Sequence, residues 1–362
     1  MTQDTSSAPL TMVAPHTHDR SSVERIMLQV CLALTPATLF GLWQFGWPAA
    51  MLWLLTCVSA VATEVLCLWL RRKPLHHSVD LSALLTGWLL ALSLPPWAPW
   101  WIGVGGSFFA IAVGKHLYGG IGQNIFNPAM LARIALLVSF PVQMTTWPLA
   151  GQHTPDFITS LGIIFQGMPM PDGTTGATIL GELKTAYSGD ATVTSITDAH
   201  FFWLDAGLGF TAGSLGETSA LLILAGGIWL LALRIISWHI PVAMLLSLLL
   251  VSAFFNAVDP GRYAGPMVHL LSGGTLLGAF FIATDYVTSP SSNSGRLWFG
   301  ACCGVLVFAI RSWGGFPEGV GFAVLFMNAL TPLLDRYCKP RAYGRNVAGK
   351  ALKVRNTTRR IK

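Results

Sequence analysis

Charge is what this chain has least of. Only 10% of its 362 residues are Asp, Glu, Lys or Arg, where ordinary globular domains carry roughly 25%. That excludes a soluble globular composition. Cysteine is sparse too, and wrongly placed for a disulfide framework. Cys31, Cys57, Cys67, Cys302 and Cys303 lie in apolar runs, Cys338 lies in a basic tail, and none lies in the large polar loop. The adjacent Cys302 and Cys303 lack the C-x2-C spacing of a structural zinc site. No His cluster suggests haem, so no metal site is expected and no side chain is assigned a catalytic role. A cleavable signal peptide is also missing. The first 25 residues are polar, with Asp4, His16, His18, Asp19, Arg20, Glu24 and Arg25 spread through them. Residues 1–25 are expected to be a cytoplasmic tail, and the first apolar span an uncleaved insertion signal.

What the chain has is apolar sequence. Hydrophobic residues make up 53%, with 14 Trp and 37 Gly. Membrane helices tolerate glycine and place Trp at interfaces. A helix needs about 20 apolar residues to cross the hydrocarbon core. Candidate spans run near 26–45, 48–70, 81–98, 100–114, 128–147, 218–236, 240–255, 267–284, 297–311 and 317–334. The fold expected is all-α and integral to the membrane, with about ten transmembrane helices. Its divisions are a tail (1–25), a first five-helix unit (26–147), a polar loop (148–217), a second unit (218–335) and a basic tail (336–362).

Orientation follows the distribution of Lys and Arg. With the N-terminus cytoplasmic, one side receives Arg20, Arg25, Arg71, Arg72, Lys73, Lys115, Arg234, Arg296 and ten residues from Arg336 to Lys362. The other side receives Lys184, Arg262 and Arg311. Both termini are therefore expected in the cytoplasm of a bacterium, with loop 148–217 on the periplasmic side of the inner membrane. The net charge of +6 comes largely from the C-terminal tail. Beside a membrane helix, such a tail suits anionic lipid rather than nucleic acid.

The two halves resemble each other. Lys115-His116-Leu117-Tyr118-Gly119-Gly120 is echoed by Arg311-Ser312-Trp313-Gly314-Gly315. Leu84-Leu85-Thr86-Gly87 is echoed by Leu270-Leu271-Ser272-Gly273. Each pair lies five spans apart, an odd number, which predicts two inverted five-helix repeats with a site between them. A channel or secondary transporter for a small solute would share that plan.

Chemistry-bearing residues fall in a few places. Asp172-Gly173-Thr174-Thr175-Gly176-Ala177-Thr178 reads D-x-x-T-G-A-T. This is the pattern at which a flavin transferase attaches FMN to a threonine through a phosphoester. A free threonine hydroxyl is a poor nucleophile and needs an outside enzyme. The acceptor must be small, exposed and on pliable backbone, which Gly173, Gly176 and Ala177 supply. A plain polar turn is the competing reading. The segment Gly119 to Pro128 joins the fourth and fifth spans and carries Asn124 and Asn127. Their amides would pair with the polar edge of an isoalloxazine ring, with Phe126 on its face, or simply cap helix ends. Glu64 in the second span and Asp285 at the end of the eighth are ion-path candidates, because acids at membrane depth are functional by default. Pairing or helix capping are the alternatives. Glu217 is read as a carboxylate at a helix N-terminus. Arg133 is expected to meet a carboxylate or carbonyl, and His116 to be either structural or redox-linked.

Four stretches carry a resemblance: Lys115 to Pro128, Asp172 to Thr178, Gly213-Ser214-Leu215-Gly216-Glu217-Thr218-Ser219, and Phe281 through Pro290. They resemble the RnfD/NqrB family of membrane subunits of redox-driven ion pumps, over about residues 22–340. Tyr286 departs from the pattern, since many relatives have Pro there. A longer N-terminal extension typical of NqrB chains is absent, so the RnfD branch fits better. The resemblance implies covalent FMN on Thr178, with Asp172, Thr175, Gly176 and Ala177 as recognition elements. It also implies a non-covalent riboflavin, for which Asn124, Asn127 and Thr86 are the candidates. Partner subunits would carry iron–sulfur centres, NADH-binding sites and a second FMN, and a flavin transferase would mature the chain. The work implied is coupling of electron transfer between NADH and ferredoxin to Na+ or H+ translocation.

Overall fold

The computed structural model describes residues 22–74, 80–151, 154–170, 175–187 and 192–339. Four helices are long and apolar enough to cross a membrane: α1 (Val23–Phe45), α2 (Trp47–Leu70), α12 (His239–Val258) and α15 (Asn293–Trp313). Ser22 starts α1 by accepting a hydrogen bond from the Arg25 N–H. Gly46, at φ 71°, ends it and turns the chain directly into α2. Between and around these lie shorter apolar helices: α3 (Ser82–Ser93), α4 (Trp100–Ile111, continuing into a π turn at Ala112–His116), α5 (Pro128–Ser139) and α11 (Ala220–Ala232). Helix α16 (Val320–Tyr337) closes the bundle.

The span expected over 267–284 is broken. It consists of α13 (Pro266–Leu271), α14 (Thr275–Leu277) and a π turn at Gly278–Ile282. Gly273, at φ 70°, makes the break, and the Arg311 side chain occupies the gap. The span expected over 128–147 stops at Ser139, where Pro141 begins the short α6 (Pro141–Thr145). The segment that follows contains α7 (Phe157–Leu161), α8 (Ile179–Tyr187), α9 (Val193–His200) and α10 (Trp203–Leu208). It also holds a two-residue antiparallel bridge of β1 (Trp147–Pro148) with β2 (Thr175–Gly176). The bridge leaves the chain overwhelmingly helical.

Packing follows from small residues. A side chain at Gly304 of α15 would collide with the Met244 carbonyl of α12, and one at Gly226 of α11 with the Ala33 carbonyl of α1. Glycine lets those helix pairs approach backbone to backbone, the usual means of association in lipid. Helix α2 packs on α3 and α4, α12 on α13 and α15, α1 on α11, and α5 on α16. Buried Leu34, Leu52, Leu90, Ile102, Met130, Phe299 and Phe308 fill the shared core. The outward faces stay apolar, with Trp43, Leu54, Trp69, Leu250, Phe254 and Trp298 exposed. Such a girdle is what lipid, not water, would cover.

Candidate functional site

Thr178 immediately precedes α8 and serves as its cap. Its Oγ1 accepts from the Gly181 N–H at 3.2 Å, and its carbonyl from the Glu182 N–H at 2.9 Å. Thr175 and Gly176 are held by the bridge to Pro148 and Trp147. A side chain at Gly176 would strike Leu149, which explains the glycine. Thr175 and Ala177 are exposed and Thr178 is half-buried. Asp172 lies outside the described residues. A helix N-terminus with free amides favours a phosphate, so the local backbone suits an anionic substituent on this hydroxyl. Leu180, Leu183 and Ala186 of α8 pack on Val193, Ala264 and Val268. Lys184 Nζ donates to the Arg311 carbonyl at 3.2 Å, tying α8 to the bundle.

Below Thr178 is a small cavity that Glu217, Glu318, Thr211 and Ser272 also line. Its floor is ionic. Arg133 of α5 pairs with Glu318 and lies 3.8 Å from Glu217 Oε1. Arg311 donates to the carbonyls of His269 (2.7 Å) and Ser272 (3.0 Å) and to Thr275 Oγ1 (2.8 Å). Arg133 thus finds the carboxylate expected of it. Glu217 does not cap α11: Ser219 does, accepting from the Leu222 N–H at 3.3 Å, while the Glu217 carboxyl turns toward Arg133. Burial and the neighbouring Glu318 charge push the Glu217 carboxyl up, and Arg133 holds Glu318 down. The span expected over 317–334 would place Glu318 inside a helix, but α16 starts at Val320 and leaves Glu318 in the connecting loop, with its partner Arg133 185 positions away.

Thr86, Asn124, Asn127 and Asp285 converge on a second pocket with about 110 Å3 of internal space. It lies among the starts of α1, α3 and α5, the end of α11 and the turn after Ile282, with Phe280, Phe281 and Tyr286 in its wall. Asn127 caps α5, its Oδ1 accepting from the Ala129 and Met130 N–H groups at 3.1 and 3.2 Å. Asn124 Nδ2 donates to the Phe126 carbonyl at 3.1 Å. Phe126 itself is not in the wall; Phe280 and Phe281 supply the aromatic surface. Thr86 Oγ1 donates to the Ser82 carbonyl. Asp285 accepts from the Val287 N–H at 3.4 Å and from Thr288 Oγ1 at 3.3 Å, a turn cap at the pocket edge. Thr284 instead donates to its own helix, at the Phe280 carbonyl. Tyr286 donates to the Ile235 carbonyl, which a Pro could not do.

Glu64 is not a lone acid. Lys115 Nζ donates to its Oε1 at 2.9 Å and to Ser82 Oγ at 2.7 Å. His116 Nε2 lies 2.9 Å from Glu64 Oε2, and Arg71 contacts His116 Nδ1 at 3.2 Å. Lys115 and Ser82 line the second pocket as well, so this buried ion cluster forms part of its wall. Lys115 and Arg311 are both buried, which removes one charge from each side of the orientation argument and leaves its bias intact. Among the described residues, no group of three or more His, Cys, Asp or Glu is placed to hold a metal ion.

Long apolar helices around buried ion clusters define a multi-pass membrane protein. The family model described as "NQR2, RnfD, RnfE family" matches residues 10–344, and the chain belongs to that family. It is 61% identical over 347 residues to the D subunit of the ion-translocating oxidoreductase complex of Stutzerimonas stutzeri, covering 95% of this chain and 98% of that one. The protein of the same description from Rhodobacter capsulatus is 50% identical over 339 residues, covering 93% and 94%. That from Halorhodospira halophila is 49% identical over 347 residues, covering 94% and 97%.

Proposed function

We propose that this chain is the membrane flavoprotein subunit of a redox-driven ion pump, carrying FMN covalently on Thr178. Membership of an ion-translocating oxidoreductase complex follows from the family and from relatives of that description along nearly their full length. The single observation that best supports the flavin is the setting of Thr178. Its side chain is half-buried at a helix N-terminus, next to the exposed Ala177 and on a cavity that Thr211, Glu217, Ser272 and Glu318 also line. A plain polar turn explains the glycines but not the conjunction of the full motif with that setting. Bound there, the flavin supplies reversible electron storage. The chain's own part is to fix the phosphate against α8 and to keep the ring near the bundle.

The second pocket supports a non-covalent riboflavin. Asn124, Asn127, Thr86 and Lys115 offer polar contacts around an otherwise apolar wall, and Phe280 and Phe281 offer aromatic surface for a ring. Packing of α1 on α11 and of α5 on α16 supports two inverted five-helix repeats, with this pocket between them. Asp285 lines the pocket and Glu64 stands behind it, paired with Lys115 of its wall; both are ion-path candidates. The charge bias supports Thr178 on the periplasmic face of the inner membrane and the termini in the cytoplasm. The partners inferred are iron–sulfur, NADH-binding and FMN-bearing subunits, together with a flavin transferase that delivers FMN to Thr178. In-gel flavin fluorescence after denaturation tests the central claim. The wild-type band should fluoresce and Thr178→Val should not; fluorescence surviving in the variant overturns it.

A further inference from the structure

We propose that Glu217 and Glu318 form a proton-binding site, one proton shared by two carboxyl groups, on the floor of the cavity beneath Thr178. The inference rests on the Thr178 reading only for what stands above the cavity. Two carboxylates cannot hydrogen-bond each other, because both only accept. Yet both converge on the same Arg133 nitrogen and line the same small cavity, and Glu217 Oε1 is buried with no donor satisfying it. A proton between them resolves both facts.

The surroundings decide which acid carries it. Arg133 pairs closely with Glu318 and stands 3.8 Å from Glu217. Glu318 therefore keeps its charge, and Glu217, whose other oxygen receives only the Ser214 N–H at 3.4 Å, holds the proton. The other charged or titratable groups of the elements packed here are Arg311 of α15, His269 of α13 and Lys184 of α8. Arg311 is spent on the His269 and Ser272 carbonyls and Thr275. Lys184 is directed to the Arg311 carbonyl. The His269 ring packs on Phe308 instead. The guanidinium groups oppose added positive charge, but at Glu217 burial and the neighbouring Glu318 charge outweigh Arg133.

Charge balance links the site to its neighbour. With Glu217 neutral, Arg133 and Arg311 exceed Glu318 by one positive charge. A phosphodiester on Thr178 carries one negative charge. Uptake is the simple equilibrium of a Glu217 carboxylate and one proton giving the carboxylic acid, with the proton drawn from solvent. Negative charge above the cavity favours the acid, so the phosphodiester should hold the proton in place to higher pH.

Infrared difference spectroscopy of the purified complex in H2O and D2O tests this. Wild type minus Glu217→Gln should show one protonated-carboxyl band that shifts in D2O, and that band should persist to higher pH than in Thr178→Val. Absence of the band from the difference, in preparations that assemble, overturns the site. Should Glu217→Gln not assemble, Glu318→Gln must shift the band, and an unmoved band is equally fatal. Identical titration in wild type and Thr178→Val overturns the link to the phosphodiester. A wild-type protein without in-gel flavin fluorescence sinks the Thr178 reading by itself, since the pair's own band is read independently of flavin.

Discussion

Removing the negative member of the Glu64–Lys115 pair should be more damaging than removing both members. Glu64 and Lys115 are each almost wholly buried, at 2% and 3% exposure, and meet at 2.9 Å. Glu64→Gln keeps the shape and leaves the Lys115 ammonium with only Ser82 as a close neutral partner. Breaking a buried pair from one side costs about 3–5 kcal/mol, because the survivor is an uncompensated charge. Arg71, on the far side of His116, worsens the imbalance by adding positive charge. Glu64→Gln with Lys115→Met removes both ions, and replacing such a pair by apolar groups is often close to neutral. Stability therefore should run wild type, then the double variant close behind, then Glu64→Gln well below. Thermal unfolding in detergent gives the order, and the double-mutant cycle isolates the pairwise energy. A Glu64→Gln protein as stable as wild type would refute the reasoning. It would mean that water reaches the cluster, which is the condition an ion path requires. Ion uptake per electron in proteoliposomes containing the whole complex then reads the coupling role separately: unchanged coupling in an assembled Glu64→Gln complex assigns Glu64 to structure.

Thr178→Ser should keep the α8 cap and a hydroxyl for flavin, whereas Thr178→Val should lose the flavin and about 1 kcal/mol of local stability through the missing cap; calorimetry beside the fluorescent gel checks both. Asn124→Ala should lower extractable riboflavin and spare FMN, and is a cleaner test than Asn127→Ala, which also uncaps α5; wild-type riboflavin content in Asn124→Ala would leave that side chain a loop brace. Gly304→Ala should force α15 off the Met244 carbonyl and destabilise by about 1–3 kcal/mol; an unchanged melting curve would contradict the close helix approach. In a background without the six native cysteines, Ser195→Cys should react with an impermeant reagent in intact cells and Lys73→Cys should not. The reverse labelling would invert the topology.

Hydropathy and composition are local quantities, and what they determine was legible in the chain itself. A charge content of 10% dictates a lipid environment whatever the packing. The D-x-x-T-G-A-T run and the Gly-rich break before Asn127 are contiguous, so the flavin proposals they carry can be framed without knowing their neighbours. Helix ends were less legible. Over 267–284 the composition is mostly apolar, and the break at Gly273 holds because Arg311, far along the chain, takes the carbonyls that the helix gives up. Pairings were not legible at all. Glu64 meets Lys115 across 51 positions, and Arg133 meets Glu318 across 185. No periodicity spans such distances, and a buried acid looks the same in sequence whether it waits for an ion or already has a partner. Only the packing of α2 on α4 and of α5 on α16 brings those side chains together. The same packing gathers Thr86, Asn124, Asn127 and Asp285 from separate segments into one pocket, because a site between helices belongs to their crossing and not to any one of them.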